Sequence, residues 1–169
     1  ALVHMLLMFG CSAAGTIEQE EEITIGVLFT DVGLGDESFN DAAFRGLERA
    51  RNELGILFDY KERPDGNYEA ALEELMTEGY DLIVGLGFSA QESLEVMAEK
   101  HPEQDFLLVD GVSDLENITS ITFKEDEGSF LLGVIAGLET KSNKIGFIGG
   151  LDIPLINKFR DGFYEGAKH

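Results

Sequence analysis

Short apolar runs alternate with amphipathic segments along the chain from Ile23 onward. The apolar runs are typical of buried β-strands, and the segments between them repeat apolar residues at helical spacing. Strands that are almost continuously apolar and separated by helices form a parallel sheet covered on both faces. The pattern therefore predicts an α/β fold, with strands at residues 23–29, 56–61, 81–86, 106–109 and 118–123.

Short polar motifs mark where three of the predicted helices begin. Ser38 followed by Asp41, and Ser89 followed by Glu92, match the capping box, in which the first side chain accepts a hydrogen bond from the first helical turn. Asn67 is predicted to cap the helix between the second and third strands. The first helix should point its unpaired N–H groups at the loop that follows the first strand, a place suited to polar ligand groups.

The loops after the predicted strands carry the candidate binding residues. Ligands of such sheets bind beyond the carboxyl ends of the strands, so side chains from separate loops converge there. An aromatic ring, an amide and carboxylates could hold a flat, hydroxylated, nitrogen-rich small molecule. Simpler roles remain open, since Asp36 and Asn40 suit a turn and a first helical turn, and Phe39 suits the core. The candidate ligand-binding residues are Asp31, Asp36, Phe39, Asn40, Gly87, Phe88, Ser89 and Asp110.

The pattern changes after Phe123. The segment 128–138 is apolar almost all round, which predicts a buried helix in which Gly133 and Gly137 allow a neighbour to approach closely. The segment 144–150 predicts a further strand with a glycine-rich end, and a last helix follows it. These elements are too few for a domain. The sequence therefore predicts an N-terminal α/β lobe over residues 23–124 and the incomplete start of a second lobe over residues 125–169.

Composition and charge limit the possible partners. The 169 residues carry 33 acidic and 12 basic side chains, so the formal net charge at pH 7 is −21. Such a chain repels the phosphate backbone, and we expect no direct binding to nucleic acid. The content of hydrophobic residues, 44%, is that of a globular protein with a core.

Residues 1–15 are mostly apolar and include Cys11, the single cysteine of the sequence. This run is far shorter than the roughly 20 residues that span a bilayer, and we interpret it as the remnant of a signal peptide. The segment Phe9-Gly10-Cys11-Ser12 resembles a bacterial lipobox, which would make Cys11 a lipidation site that anchors the protein at the extracytoplasmic face of the cell membrane. The alternative is a chance thiol in an apolar tail. Residues 16–22 are predicted to form an acidic linker.

Two enzyme motifs are present only in part. The segment 33–38 follows a strand as a dinucleotide-binding motif does, but its third glycine is missing and Asp36 would repel a pyrophosphate. The segment 87–91 has the strand-turn-helix setting of a hydrolase nucleophile but lacks the closing glycine. The sequence also has no Asp-x-Asp-x-Asp-Gly loop for a hard cation. We therefore expect no catalytic activity, no cofactor and no metal site.

Several blocks of sequence together resemble one known family. They are D-x-x-x-x-D-x-S-F-N over residues 31–40, F-K-E-D-E-G-S-F-L-L-G over residues 123–133, and K-I-G-F-I-G-G through G-F-Y-E-G over residues 144–166. These blocks look like the basic membrane protein family of lipoprotein substrate-binding components of ABC importers. That family includes nucleoside binders and Med-like regulatory proteins, and the segment 85–94 is especially similar to the Med-like branch. The resemblance covers nearly everything after Ile23.

The resemblance implies a type I periplasmic-binding-protein fold, in which two α/β lobes meet at a hinge, here near residues 122–127, and hold a ligand in the cleft. It implies two partners, a nucleoside-like small molecule and an ABC permease. By similarity, Phe39 would stack on a purine base, Asp31 and Asn40 would bond to the base edge, and Asp110 would meet the sugar. The alternative implied by the Med-like branch is a regulatory or sensory role on the same scaffold without transport.

Overall fold

The structure is a computed structural model that describes residues 22–169. The predicted lipidation site Cys11, the apolar stretch around it and most of the predicted acidic linker lie outside the described residues. Their roles therefore stay predictions.

A five-stranded parallel sheet forms the centre of the fold, with the strand order β2-β1-β3-β4-β5. The strands are β1 (Thr24–Leu28), β2 (Leu57–Lys61), β3 (Leu82–Leu86), β4 (Asp105–Val109) and β5 (Ile118–Ile121). The five strands predicted up to residue 123 are thus present, with small differences at their ends. Because all neighbouring strands are parallel, their carboxyl ends lie at one edge of the sheet, as predicted.

Helices cover both faces of this sheet. They are α1 (Phe39–Leu54), α2 (Tyr68–Glu78) and α3 (Gln91–Lys100), which follows a short 3-10 turn at Phe88–Ala90. Leu72 of α2 and Leu94 of α3 share one core cluster with Leu28, whereas Phe44 of α1 packs in a second cluster with Val27. Val27 and Leu28 are adjacent in β1, and successive side chains of a strand point to opposite faces of the sheet. The two clusters therefore lie on opposite faces. The predicted α/β architecture is confirmed.

The start of α1 differs from the predicted capping box. Ser38 makes no side-chain cap to the helix. The carboxylate of Asp36 takes that place and accepts hydrogen bonds from the backbone N–H groups of Ser38, Asn40 and Asp41 at 2.8, 2.9 and 3.1 Å. The capping-box prediction for Ser38 is therefore wrong, because a charged acceptor two residues earlier reaches all three donors.

The starts of α2 and α3 differ from each other. Asn67 caps α2, since its side chain accepts a hydrogen bond from the N–H of Ala70 at 3.3 Å, and this prediction is confirmed. The second capping box is wrong, because Ser89 lies inside the 3-10 turn and Ala90 occupies the cap position of α3 without a side-chain bond.

Two further helices, α4 (Glu125–Glu139) and α5 (Pro154–Lys168), pack together so closely that their backbones touch. A β-carbon on Gly133 would collide with the carbonyl oxygen of Phe163, and one on Gly166 would collide with that of Phe130. Gly137 lies in the same way against Ala167 of α5. The prediction that Gly133 and Gly137 admit a close neighbour is confirmed.

Two other predictions for this part of the chain are wrong. The face of α4 that does not contact α5 exposes four large side chains, because no other described element covers it; they are Leu131, Leu132, Ile135 and Leu138. The segment 144–150 forms no strand in the described structure. A strand needs a neighbouring strand to pair its N–H and C=O groups, and this segment does not join the sheet that ends at β5.

The apolar sequence of α4 does not make it a membrane span, since the helix has only 15 residues. Within residues 22–169, no helix combines the length and the apolar character that crossing a membrane requires.

Candidate functional site

Two cavities lie where the carboxyl edge of the sheet meets α4 and α5. The first, which we name the aromatic cavity, has a volume of about 620 Å³, and its lining includes Phe39, Phe123, Phe159, Asp110 and Glu125. The second, which we name the acidic cavity, has a volume of about 430 Å³, and its lining includes Phe88, Glu92, Glu95, Asp110, Glu125 and Lys158. Asp110 and Glu125 line both cavities, so the two spaces adjoin at these carboxyl groups.

Phe39 is half-buried at the first position of α1. Its ring packs against the core cluster that contains Phe29 and also lines the aromatic cavity. Gly87, at the end of β3, comes close to this ring, since a β-carbon there would lie 3.7 Å from Cε1 of Phe39 and 3.3 Å from Cγ2 of Thr30. The φ angle of Gly87 is +79°, which L side chains rarely adopt. A glycine therefore lets the loop after β3 close against the ring.

Asn40 is buried, and its side-chain amide bonds within the protein. Its Oδ1 accepts from the N–H of Thr30 at 3.1 Å, and its Nδ2 donates to Oγ1 of Thr30 at 2.8 Å and to Oδ2 of Asp36 at 3.0 Å. Burial raises the pKa of Asp36, but the N–H donors of Asn40, Ser38 and Asp41 outweigh it and lower this pKa to about 2. Asp36 and Asn40 thus fix the shape of the loop after β1.

Tyr68, the first residue of α2, connects two of the loops at the sheet edge. Its buried hydroxyl accepts a hydrogen bond from the N–H of Asp31 at 3.0 Å and donates one to Oγ of Ser89 at 3.3 Å. The backbone of Asp31 is held in this way, while the residue as a whole is exposed. The loops after β1 and β3 are therefore joined through one side chain of a neighbouring helix.

Two carboxyl groups and one ammonium group meet between the cavities. Asp110 follows β4 with a φ of +64°, and its N–H donates to the carbonyl of Ile121 at 2.7 Å. Burial raises the pKa of Asp110, and the charge of Glu125 and a hydrogen bond with it raise this pKa further, against the opposing effect of Lys158. Glu125 is buried in the first turn of α4; its Oε1 accepts from the N–H of Phe123 at 3.2 Å, and its Oε2 lies 3.8 Å from Nζ of Lys158.

The structure brings only some of the predicted site residues to the cavities. Phe39 and Asp110 line the aromatic cavity, and Phe88 and Asp110 line the acidic cavity. Gly87 and Ser89 lie in the loop beside Phe39. The linings of the two cavities do not include five of the predicted residues: Asp31, Asp36, Asn40, Gly87 and Ser89.

Sequence reasoning missed the residues that α4 and α5 supply. Glu125, Lys158 and Phe159 all line a cavity. Lys158 and Phe159 lie in a segment that the sequence pattern predicts only as a helix, and Glu125 lies in the segment predicted as the hinge. One sequence feature could have pointed to this part of the site: the block at residues 123–133 that resembles the family. Two of its residues, Phe123 and Glu125, line the aromatic cavity. Tyr68 follows the predicted cap Asn67, but nothing in the sequence shows where its hydroxyl points.

The site is suited to binding a small molecule through an aromatic face and hydrogen-bond acceptors. The aromatic cavity combines ring surfaces with two carboxyl groups, which is the usual make-up of a small-molecule site. Over residues 22–169, no three histidine, cysteine, aspartate or glutamate side chains converge as a metal site would require.

Comparisons with known proteins point to one family. The family model described as "ABC transporter substrate-binding protein PnrA-like" matches residues 23–169. An uncharacterized lipoprotein of Pyrococcus furiosus is 39% identical over 176 residues, which cover 100% of this chain and 44% of that protein. The ABC transporter nucleoside-binding protein BmpA of Lactococcus lactis is 35% identical over 178 residues, which cover 99% of this chain and 51% of that protein.

A solved structure supports the same conclusion about the fold. A solute-binding protein of an ABC transporter system from Aeropyrum pernix superposes with a TM-score of 0.76 at 36% identity, covering 86% of this chain and 43% of that one. This likeness confirms the predicted fold class, of the type I periplasmic-binding-protein kind. The chain spans about half the length of the relatives it matches.

Proposed function

Because the chain belongs to the family of PnrA-like ABC transporter substrate-binding proteins, we propose that it binds a nucleoside at the carboxyl edge of its sheet and delivers it to an ABC permease. One observation carries this proposal: Phe39, at the start of the helix after β1, and Asp110, just after β4, line a single cavity of about 620 Å³. A cavity of that size is within the range of small-molecule sites. The proposed role is binding without catalysis.

The aromatic cavity is the proposed place of the base. Phe39, Phe123 and Phe159 offer ring surfaces there, and Phe39 also packs against the core. Stacking of a base on an aromatic ring contributes about 1–3 kcal/mol in single-stranded nucleic-acid complexes. The name of the BmpA relative, a nucleoside-binding protein, supports the choice of a base-containing ligand.

Polar groups around the ring of Phe39 are proposed to make the site selective for particular nucleosides. Asp31 and Asp110 are the proposed hydrogen-bond acceptors for the base edge and the sugar, and Phe88 and Ser89 are proposed to close the site from the loop after β3. Asn40 has a different proposed role, since its amide already bonds to Thr30 and Asp36. We propose that Asn40 and Asp36 position the loop that carries Asp31 and that Gly87 allows the loop after β3 to approach Phe39.

Anchoring and domain organisation follow the same family pattern. Relatives that match this chain are named lipoproteins, which supports lipidation of Cys11 and a position at the extracytoplasmic face of the cell membrane. We also propose that residues 23–124 form one lobe and that residues 125–169 begin a second, joined by the hinge near residues 122–127. In that arrangement α4 and α5 form part of the opposite wall of the cleft.

A thermal-shift experiment on the full-length protein tests the proposed function. The melting temperature Tm is measured against rising concentrations of inosine, guanosine, adenosine, cytidine and uridine, with the free bases and ribose as controls. A ligand at 100 times its Kd stabilises the folded state by about 2.7 kcal/mol, so a true ligand raises Tm in proportion to the logarithm of its concentration. A Tm that none of these compounds changes would contradict the proposal and favour the regulatory alternative.

A further inference from the structure

Glu125 is a buried acid that has one oxygen without a hydrogen-bond donor. Its side chain is only 4% exposed, and its Oε1 accepts from the N–H of Phe123. No described residue donates a hydrogen bond to Oε2. A buried carboxylate oxygen in that state is costly, so a further donor is expected at this position. Because Glu125 lines both cavities, the donor can come from a bound molecule.

The neighbouring acid, Asp110, makes this a site with two acceptors. Asp110 lines the same two cavities as Glu125. Burial raises the pKa of Asp110, and the negative charge of Glu125 raises it further, because like charges at this position repel each other. Two hydroxyl donors from a ligand would relieve that repulsion, one for each carboxylate.

The local charges disfavour an anionic ligand group. Lys158 places an ammonium group 3.8 Å from Oε2 of Glu125, so one positive charge already faces this carboxylate. An anion such as phosphate would face Glu92 and Glu95 as well, which line the acidic cavity. Gln91, a possible donor in that lining, is already bonded to Glu95 and to the carbonyl of Val112. A pair of neutral hydroxyl groups can supply hydrogen-bond donors to these two acids without adding charge.

We propose that Glu125 and Asp110 together accept hydrogen bonds from two hydroxyl groups on adjacent carbons of the ligand, so that Glu125 selects ribonucleosides over 2′-deoxyribonucleosides. This inference rests on the proposed function, since it assigns the sugar to the junction of the two cavities and the base to the aromatic cavity. Glu125 acts here as a specificity-determining residue. A site that places acceptors for a hydroxyl group penalises a ligand that lacks it, because a buried oxygen is left without its donor.

Isothermal titration calorimetry on the full-length protein tests the inference, with inosine, 2′-deoxyinosine and 3′-deoxyinosine as ligands. We expect the wild-type protein to bind inosine at least about tenfold more tightly than 2′-deoxyinosine, the factor for one hydrogen bond to a charged group. Glu125→Gln keeps the size of the side chain but replaces one oxygen by a donor, and it should reduce that ratio to roughly threefold or less. The matched control is Glu127→Gln in the same helical turn, which is exposed and should leave the ratio unchanged.

The outcomes separate this inference from the proposed function. If wild type binds inosine and 2′-deoxyinosine equally, or if Glu125→Gln keeps the full ratio, nucleoside binding stands and the role of Glu125 is overturned. If 2′-amino-2′-deoxyinosine binds more tightly than inosine, the carboxyl groups prefer a cation and the inference is also overturned. If no nucleoside binds at all, both proposals fail together. Should Glu125→Gln not fold, the wild-type ratio and the same measurement on Asp110→Asn still decide the question.

Discussion

The hydroxyl of Tyr68 accepts a hydrogen bond from the backbone N–H of Asp31 at 3.0 Å. The same hydroxyl donates to Ser89, so a buried residue of α2 fixes the loops that follow β1 and β3 relative to each other. The proposed binding loops are therefore supported from the face of the sheet opposite α1, and not only by contacts among themselves.

Replacement of Tyr68 by phenylalanine removes these two hydrogen bonds and keeps the ring in the core. We expect a loss of about 1 kcal/mol in the free energy of unfolding, together with weaker nucleoside binding because Asp31 and Ser89 are less well positioned. Urea unfolding and calorimetry measure the two effects. Tyr164→Phe, in an exposed part of α5, is the control and should change neither. Equal values for Tyr68→Phe and wild type would show that the hydroxyl does not support the loops.

Replacement of Phe39 by leucine tests the proposed stacking ring. The loss of about 1–3 kcal/mol of stacking corresponds to a roughly 5- to 150-fold weaker affinity for a purine nucleoside. Phe44→Leu is the matched control, because Phe44 lies one turn further along α1 and packs against Phe29, Phe58 and Tyr60. Both variants should lower Tm, but only Phe39→Leu should lower the affinity. A wild-type affinity in Phe39→Leu would place the base elsewhere.

The close packing of α4 and α5 makes their glycines sensitive to a single methyl group. Gly133→Ala and Gly166→Ala each place a β-carbon against a backbone carbonyl of the other helix, and we expect each to cost about 1–3 kcal/mol as an overpacked contact. Gly128→Ala in α4 is the control, because no atom lies within 4 Å of its β-carbon. Alanine there should stabilise the helix by up to about 1 kcal/mol. Urea unfolding followed by circular dichroism measures all three variants, and a stable Gly166→Ala would contradict the observed helix contact.

The carboxylate of Asp36 should make stability depend on pH in the acidic range. Its pKa in the folded protein is about 2, below the ordinary value of 3.8, so the ionised form is favoured by folding. The stability that it contributes is therefore present above about pH 4 and is lost as the pH falls from about 4 to about 2. We expect Asp36→Asn to be less stable than wild type at about pH 6 and the difference to shrink towards pH 2.

Urea unfolding across this pH range measures the effect of Asp36. The exposed Asp114, replaced by asparagine in the same way, should give a difference that does not follow this pattern. A gap between wild type and Asp36→Asn that is the same at about pH 6 and at about pH 2 would show that Asp36 does not act through its charge.

The strands of the sheet could be predicted because each is marked by a local run of apolar residues. Runs such as Leu82–Leu86 are apolar throughout, and only a strand that is covered on both faces uses such a run in this setting. The cap at Asn67 was likewise predictable, since its acceptor is three residues from its donor. The true cap of α1 could not be predicted, because the side chains of both Ser38 and Asp36 can accept hydrogen bonds from N–H groups at the start of the helix. The sequence does not show that Asp36 is the acceptor in the folded protein.

The candidate site was predictable only where a strand end defines it. Asp110 and Phe88 follow strands closely, Phe39 begins the helix after β1, and the parallel arrangement brings all three to one edge. Glu125 could not be identified in this way, because it lies in an acidic run with Asp126 and Glu127 and differs from them only in being buried. That burial depends on α5, and no local pattern reports a contact between residues so far apart in the chain.

The contact between α4 and α5 has a mechanical consequence. Gly162 lies against the backbone of Asp126, the neighbour of Glu125, so the backbones of the two helices are in contact close to the Glu125–Lys158 pair. In the proposed rotation about the connection between β5 and α4, the glutamate and its lysine would move together, and their separation from Asp110 would change. The charge environment of Asp110 would then report the distance between the two proposed lobes.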